Sequence, residues 1–395
     1  MTSRVMTRSA RRVSVTAAAV AAGIVAVGCG STTAAPHSSA AVSRAVPVPI
    51  TSLDTSTATA AGTWAVALMG GPANQDNNFW QLFVRPAASS RWQLVTPPGT
   101  ADNGGLVLAG GGASMVTAFR PSQLLTFTPL TTTTDGGRAW SALNPLDARL
   151  ATTPDALAAS PPSGTLAALL ADGTAELGGG SRNWKTLATT RTVANTTAGR
   201  QCGLTALTAV GYTPSGVPLL AGACSRPGQA GIFAGSSGTW QSAGPALPTE
   251  VDRQDITVLR LARTANQVVA LLAAGTGHDV SLFASWSADG GATWTLSPAL
   301  PLRGAAMASA SFGFAGSVGV IAGDQADVVA GAGVQWHALP VLPAGTATLV
   351  PGSSGGPDAM AVAGSTLTVW QLLPGATGWT KSQVIHVPIQ YGSSS

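Results

Sequence analysis

The chain is poor in charge: Asp, Glu, Lys and Arg make up 9% of its 395 residues. It has two glutamates, Glu176 and Glu250, and two tyrosines, Tyr212 and Tyr391. Solvent-facing helices draw on Glu, Lys and Arg, so the composition excludes a long helical cytosolic protein. Histidine is scarce and scattered, at 37, 278, 337 and 386, and no H-x-x-x-H, H-E-x-x-H or C-x-x-C occurs. A zinc site therefore lacks its ligand spacing, and no other cofactor is implied. The glycine clusters at 110–112 and 178–180 lack the Lys or flanking helix of a nucleotide cradle. No G-x-S-x-G precedes a helix, although counting alone leaves a Ser-His-Asp triad open. Net charge is +4, and Arg4, Arg8, Arg11 and Arg12 lie in the first dozen residues. The rest is near neutral, which gives no case for a nucleic-acid partner or a polybasic membrane patch.

Those arginines begin a three-zone N-terminus. An uncharged apolar run follows at 13–27, then Gly28–Cys29. The run is short for a membrane span, and the three zones together are those of an export signal. Ala26–Val27–Gly28–Cys29 resembles a bacterial lipobox, with Ala where Leu is usual. The resemblance implies cleavage after residue 28 and lipidation of Cys29, which would hold the chain at the extracytoplasmic face of the cell membrane. The alternative is ordinary cleavage nearby. Residues 29–60 are rich in Ser, Thr, Ala and Pro and read as a tether, with 45–50 (AVPVPI) a candidate edge strand. Of three cysteines, Cys202 and Cys224 then remain as a pair. They flank strand candidates at 204–210 and 217–221. An exported chain permits a disulfide here, and two buried thiols are the alternative.

Residues 61–392 carry an imperfect repeat of strand, glycine or polar turn, tryptophan and strand. The aligned tryptophans are 92, 140, 184, 240, 294, 336 and 379, spaced by 48, 44, 56, 54, 42 and 43 residues. Such periods predict propeller blades, each a small four-stranded antiparallel sheet, and seven repeats predict a seven-bladed all-β propeller. A β-sandwich explains the recurring Trp less well. Trp80, Trp286 and Trp370 fall outside that position, in third-strand candidates. They either pack between blades or form a binding platform. The first repeat lacks an obvious fourth strand, and the C-terminal segment 384–392 is expected to supply it in preference to 45–50.

Ser287-Ala-Asp289-Gly-Gly291-Ala-Thr-Trp294 fits S-x-D-x-G-x-x-W at every fixed position. Thr133-Thr-Asp135-Gly-Gly137-Arg-Ala-Trp140 fits with Thr for Ser. These segments resemble the BNR/Asp-box repeats of sialidase-like propellers. The resemblance implies a box between the third and fourth strands of a blade, with Ser287, Asp289, Gly291, Trp294, Thr133, Asp135, Gly137 and Trp140 as folding elements. The carboxylate accepts N–H bonds inside the turn, and glycine takes positive φ.

Sialidase chemistry is poorly matched. No Arg-Ile-Pro occurs near the first repeat, where Arg85–Pro86 is the nearest echo, and Tyr391 is almost terminal. A two-carboxylate glycosidase could draw on Asp76, Asp102, Asp155, Asp172, Asp252, Asp255, Asp324 or Asp358. The stretch 251–260 is the most charged, and Asp252, Arg253 and Asp255 read either as a solvated loop or as a rim site. The preferred expectation is a non-catalytic envelope lipoprotein that recognises a protein or glycan through the propeller rim; an assembly factor is a special case. The alternative is an extracytoplasmic glycoside hydrolase using two aspartates.

Overall fold

A computed structural model describes residues 56–70, 78–97, 106–112, 114–119, 130–142, 154–160, 164–179, 182–226, 228–236, 238–248, 255–264, 266–313 and 316–388. Cys29, Asp76, Asp102, Asp252, Arg253 and Tyr391 lie outside these residues. The described chain is almost entirely β-stranded, in small antiparallel sheets.

Among the described residues, seven four-stranded meanders follow one another. The first is β1 (Ser56–Thr59), β2 (Gly62–Gly70), β3 (Asn78–Pro86) and β4 (Gln93–Leu94). The second is β5 (Leu106–Gly111), β6 (Ser114–Phe119), β7 (Leu130–Thr133) and β8 (Ser141–Ala142). The third is β9 (Ala156–Ala159), β10 (Leu166–Leu169), β11 (Thr174–Gly179) and β12 (Arg182–Thr189). Two short helices, α1 (Thr190–Ala194) and α2 (Thr197–Cys202), lead into the fourth: β13 (Leu204–Tyr212), β14 (Pro218–Cys224), β15 (Gly231–Ser236) and β16 (Thr239–Ser242). The fifth is β17 (Ile256–Arg263), β18 (Val268–Ala274), β19 (Ser281–Ser287) and β20 (Thr295–Leu296), with β21 (Leu300–Pro301) also on β19. The sixth is β22 (Met307–Phe312), β23 (Val318–Ala322), β24 (Gln325–Val329) and β25 (His337–Ala338). The seventh is β26 (Thr346–Pro351), β27 (Pro357–Ala363), β28 (Thr366–Gln371) and β29 (Thr380–His386). A short β14–β17 pairing joins the fourth and fifth meanders into one nine-stranded sheet.

Both faces of inner strands such as β2, β14 and β18 are buried, which explains their nearly unbroken apolar sequences. On β2, Trp64 and Val66 enter a cluster shared with the second sheet, while Ala65, Ala67 and Met69 enter one shared with the seventh. The period-two alternation of a strand divides one apolar run between two cores. Seven such clusters form, each filled from two sheets: one and two, two and three, and onward, the last from seven and one.

The first sheet corrects the expectation about the termini. Its remaining strand is β1, from the segment read as tether, while residues 45–50 and 389–392 lie outside the described residues. Residues 384–386 belong to β29 and pair with β28. A two-residue link joins β1 to β2, so this pairing closes a far shorter loop than recruitment of the C-terminus. The helices α1 and α2 are also additions to the expected strands. Thr189 caps α1, its side chain accepting from the N–H of Thr192. Cys202, at the end of α2, is bonded to Cys224 at the end of β14, with Cα atoms 5.3 Å apart.

Candidate functional site

The two turns read as Asp boxes, residues 133–140 and 287–294, sit between third and fourth strands. In the turn at 287–294 Asp289 accepts from the Ser287 hydroxyl at 2.8 Å, from the Thr293 N–H at 2.8 Å and from the Thr293 hydroxyl at 2.5 Å. Ser287 in turn accepts the Gly291 N–H at 2.7 Å. These donors, the Thr293 hydroxyl first, hold the carboxyl well below the usual carboxylate range. Asp135 accepts from Thr133 at 2.7 Å and from the N–H groups of Arg138 and Ala139 at 3.0 Å each. It is lowered likewise, the Ala139 N–H first.

Each box grips the sheet before it. Gly291 has φ +103°, and a Cβ there would stand 3.0 Å from both the Cβ and the carbonyl oxygen of Ala243. Trp294 donates its indole N–H to that same carbonyl at 2.6 Å. Gly137 has φ +87°, and a Cβ there would stand 2.7 Å from the Val95 Cβ; Trp140 donates to the Val95 carbonyl at 3.1 Å. Trp336 donates to Pro298 at 2.9 Å and Trp379 to Pro340 at 3.2 Å. These four acceptors lie within two residues of the preceding sheet's fourth strand. Trp336 and Trp379 thus keep the inter-sheet clasp of the two turns where the Asp is gone, whereas the buried Trp240 indole N–H has no acceptor among the described residues.

The other tryptophans also pack. Trp286 is buried and donates to the Gly316 carbonyl of the sixth sheet at 2.6 Å. Trp80 and Trp370 are half-buried against inter-sheet clusters. Trp64, which the repeat overlooks, is fully buried, donates to Thr59 at 2.9 Å and meets Trp140 edge to face at 6.2 Å.

Arg85, the echo of a sialidase arginine, is committed to a buried pair. It donates to Asp358 at 2.8 Å, to the Pro351 carbonyl at 2.6 Å and to Thr63 at 3.3 Å, and stacks over Trp92 at 5.1 Å. This joins the first and seventh sheets. Burial pushes Asp358 up to about 6, against the pull of Arg85 and the Trp92 indole. Beside it, the Gln383 side chain accepts the Trp92 N–H at 2.8 Å and donates to the Trp92 carbonyl at 2.9 Å.

Asp172 is spent on the Thr174 N–H at 2.9 Å, and burial raises Asp155. Asp255, the described member of the expected rim trio, is half-buried just before β17, and its carbonyl accepts from Gly275 at 3.0 Å. Among the described residues no group of three His, Cys, Asp or Glu could hold a metal ion. No described helix is long and apolar enough to cross a membrane.

Two recesses remain. A cavity of about 500 Å³ is lined by the first strands of six meanders, from β1, β5, β9, β13, β17 and β22. Its described ionisable lining is Arg260, Arg263 and Tyr212, whose phenol burial pushes upward. A groove of about 490 Å³ lies among the sixth, seventh and first sheets. It is lined mainly by Gly, Ser and Pro, with Arg85 beneath. Neither described lining contains Asp or Glu.

No family model and no curated protein sequence matches the chain. Solved structures do. A protein from Lactobacillus plantarum is 10% identical over 82% of this chain and 96% of its own, with a TM-score of 0.50. Apo AztD from Citrobacter koseri is 12% identical over 83% of this chain and 96% of its own, TM-score 0.47. YCF48 bound to D1 peptide is 14% identical over 78% and 89%, TM-score 0.43. The likeness is one of β-sheet fold.

Proposed function

We propose that the chain is a closed seven-bladed propeller of the Asp-box type, held by lipid on Cys29 at the outer face of the cell membrane. There it serves as a non-catalytic binding module for an envelope protein or glycan. Seven meanders, seven two-sheet clusters and the packing of the seventh sheet on the first support the propeller. The disulfide suits an exported chain.

The observation that carries the binding role is the make-up of the two recesses. Both are wide enough for a ligand or a docking segment, and their described walls offer backbone, hydroxyl and guanidinium groups without a carboxylate. Two-carboxylate glycoside hydrolysis needs an acid and a base or nucleophile facing one space. Asp135, Asp289 and Asp358 are engaged in turns and a sheet junction instead.

Crosslinking and capture of the intact membrane-bound chain tests this, beside Cys29→Ser, which is expected to leave the membrane. Ala87→Arg with Ser353→Arg would fill the groove mouth from two exposed positions. Specific capture of an envelope protein or glycan that this pair abolishes supports the reading. Turnover of an envelope glycan by the purified chain overturns it.

A further inference from the structure

The cavity enclosed by the first strands has a chemistry of its own. Arg263 closes β17 and is half-buried. Among the described residues its guanidinium makes one hydrogen bond, to the Thr264 carbonyl at 3.1 Å, and no ion pair. A guanidinium has five N–H donors and a permanent charge. Partial burial without an anion is a cost, and it pulls the Arg263 pKa down. Arg260 lines the same space three residues earlier, beside a β-bulge between Val258 and Arg260. Two cations of one strand therefore line one cavity, Arg260 buried with a partner of its own and Arg263 half-buried. The remaining wall is largely apolar, with Leu108, Leu157 and Phe312, and the Thr57 and Thr59 residues of β1 add polar points.

We infer that this cavity is a binding site for a small organic oxyanion, a carboxylate or phosphate group on an apolar body. Arg263 supplies the bidentate contact, Arg260 the second positive charge, and the apolar wall holds the rest of the molecule. A volume of about 500 Å³ accommodates a ligand of that class. The site lies among the first strands and shares only Gly313 with the lining of the groove, so it stands or falls without the envelope partner.

The test is calorimetric titration of the full chain with phenyl phosphate, phenylacetate and benzyl alcohol. The first two carry the oxyanion and distinguish phosphate from carboxylate; the third is the neutral counterpart. Phenyl phosphate or phenylacetate is expected to bind, more weakly as salt rises. Arg263→Gln should weaken that binding about tenfold or more, the equivalent of one charge-assisted contact. Arg263→Lys, which keeps charge and loses the fork, should fall between. Arg91→Gln, at an exposed turn of the first sheet, should change nothing. Thermal melts of each variant report folding. Anions that bind no better than benzyl alcohol, or a folded Arg263→Gln chain that keeps full affinity, overturns the proposal.

Discussion

The junction between the fourth and fifth sheets and the junction between the seventh and first do the same task with different chemistry. At the former a neutral indole reaches one carbonyl, Trp294 to Ala243, and a glycine lets the backbones approach. At the latter a buried arginine is held by a carboxylate, a carbonyl, a hydroxyl and an indole face. The fourth and fifth sheets are also tied by the chain between them and by the β14–β17 pairing. Among the described residues the first and seventh share no strand pairing; one backbone hydrogen bond, from the Gly70 N–H to the Gly364 carbonyl at 3.0 Å, joins them, and polar side chains add the rest.

Breaking the ionic junction should have the largest effect. Asp358→Ala leaves Arg85 buried and uncompensated and should cost about 3–5 kcal/mol by chemical denaturation. Arg85→Met combined with Asp358→Leu should recover most of that loss, because the pair is itself expensively desolvated. If the double variant is as unstable as the single, the charge pair is not what matters at this junction. Removing the covalent staple with Cys202→Ala and Cys224→Ala comes next, at about 2–4 kcal/mol for a separation of 22 residues. Trp294→Phe should cost about 1 kcal/mol, the net value of one hydrogen bond. A loss equal to that of Asp358→Ala would erase the contrast.

Acid separates the regions further. The Asp358 carboxyl titrates near 6 when folded, above its ordinary 3.8, so the native state takes up the proton first. Its contribution therefore raises stability as pH falls from about 6 to about 4. The box carboxylates have depressed values and lose stability once pH drops below the ordinary carboxylate range. Denaturation across pH should show Asp358→Asn flattening the first limb and Asp289→Asn the second.

The architecture was legible where the signal is local. Runs such as VVALLAA on β18 are strands buried on both faces, and the Trp period survives because each Trp must reach the sheet before it. The Asp-box turns read from eight consecutive residues. Arg85 and Asp358 were not legible as partners, being 273 residues apart with no local mark on either. The place of β1 in the first sheet is not legible, because Ser56–Thr59 has the same Ser/Thr-rich composition as the segment before it. The helices α1 and α2 are too short to show a period. Arg260 sits at the end of a charged stretch whose beginning drew attention to the rim, while its own strand lines the cavity.

Apart from the short β14–β17 and β19–β21 pairings, every described sheet is assembled from strands adjacent in sequence. Strand pairing can therefore proceed stepwise as the chain emerges, each step closing a short loop. The contacts of Arg85 with Asp358 and of Gln383 with Trp92 instead bridge 273 and 291 residues. Contacts of such separation are expected to form late, and unfolding kinetics of Asp358→Ala are then expected to show a faster unfolding rate with a nearly unchanged folding rate. A weakened junction there shortens the lifetime of the native state while leaving the early steps of its formation intact.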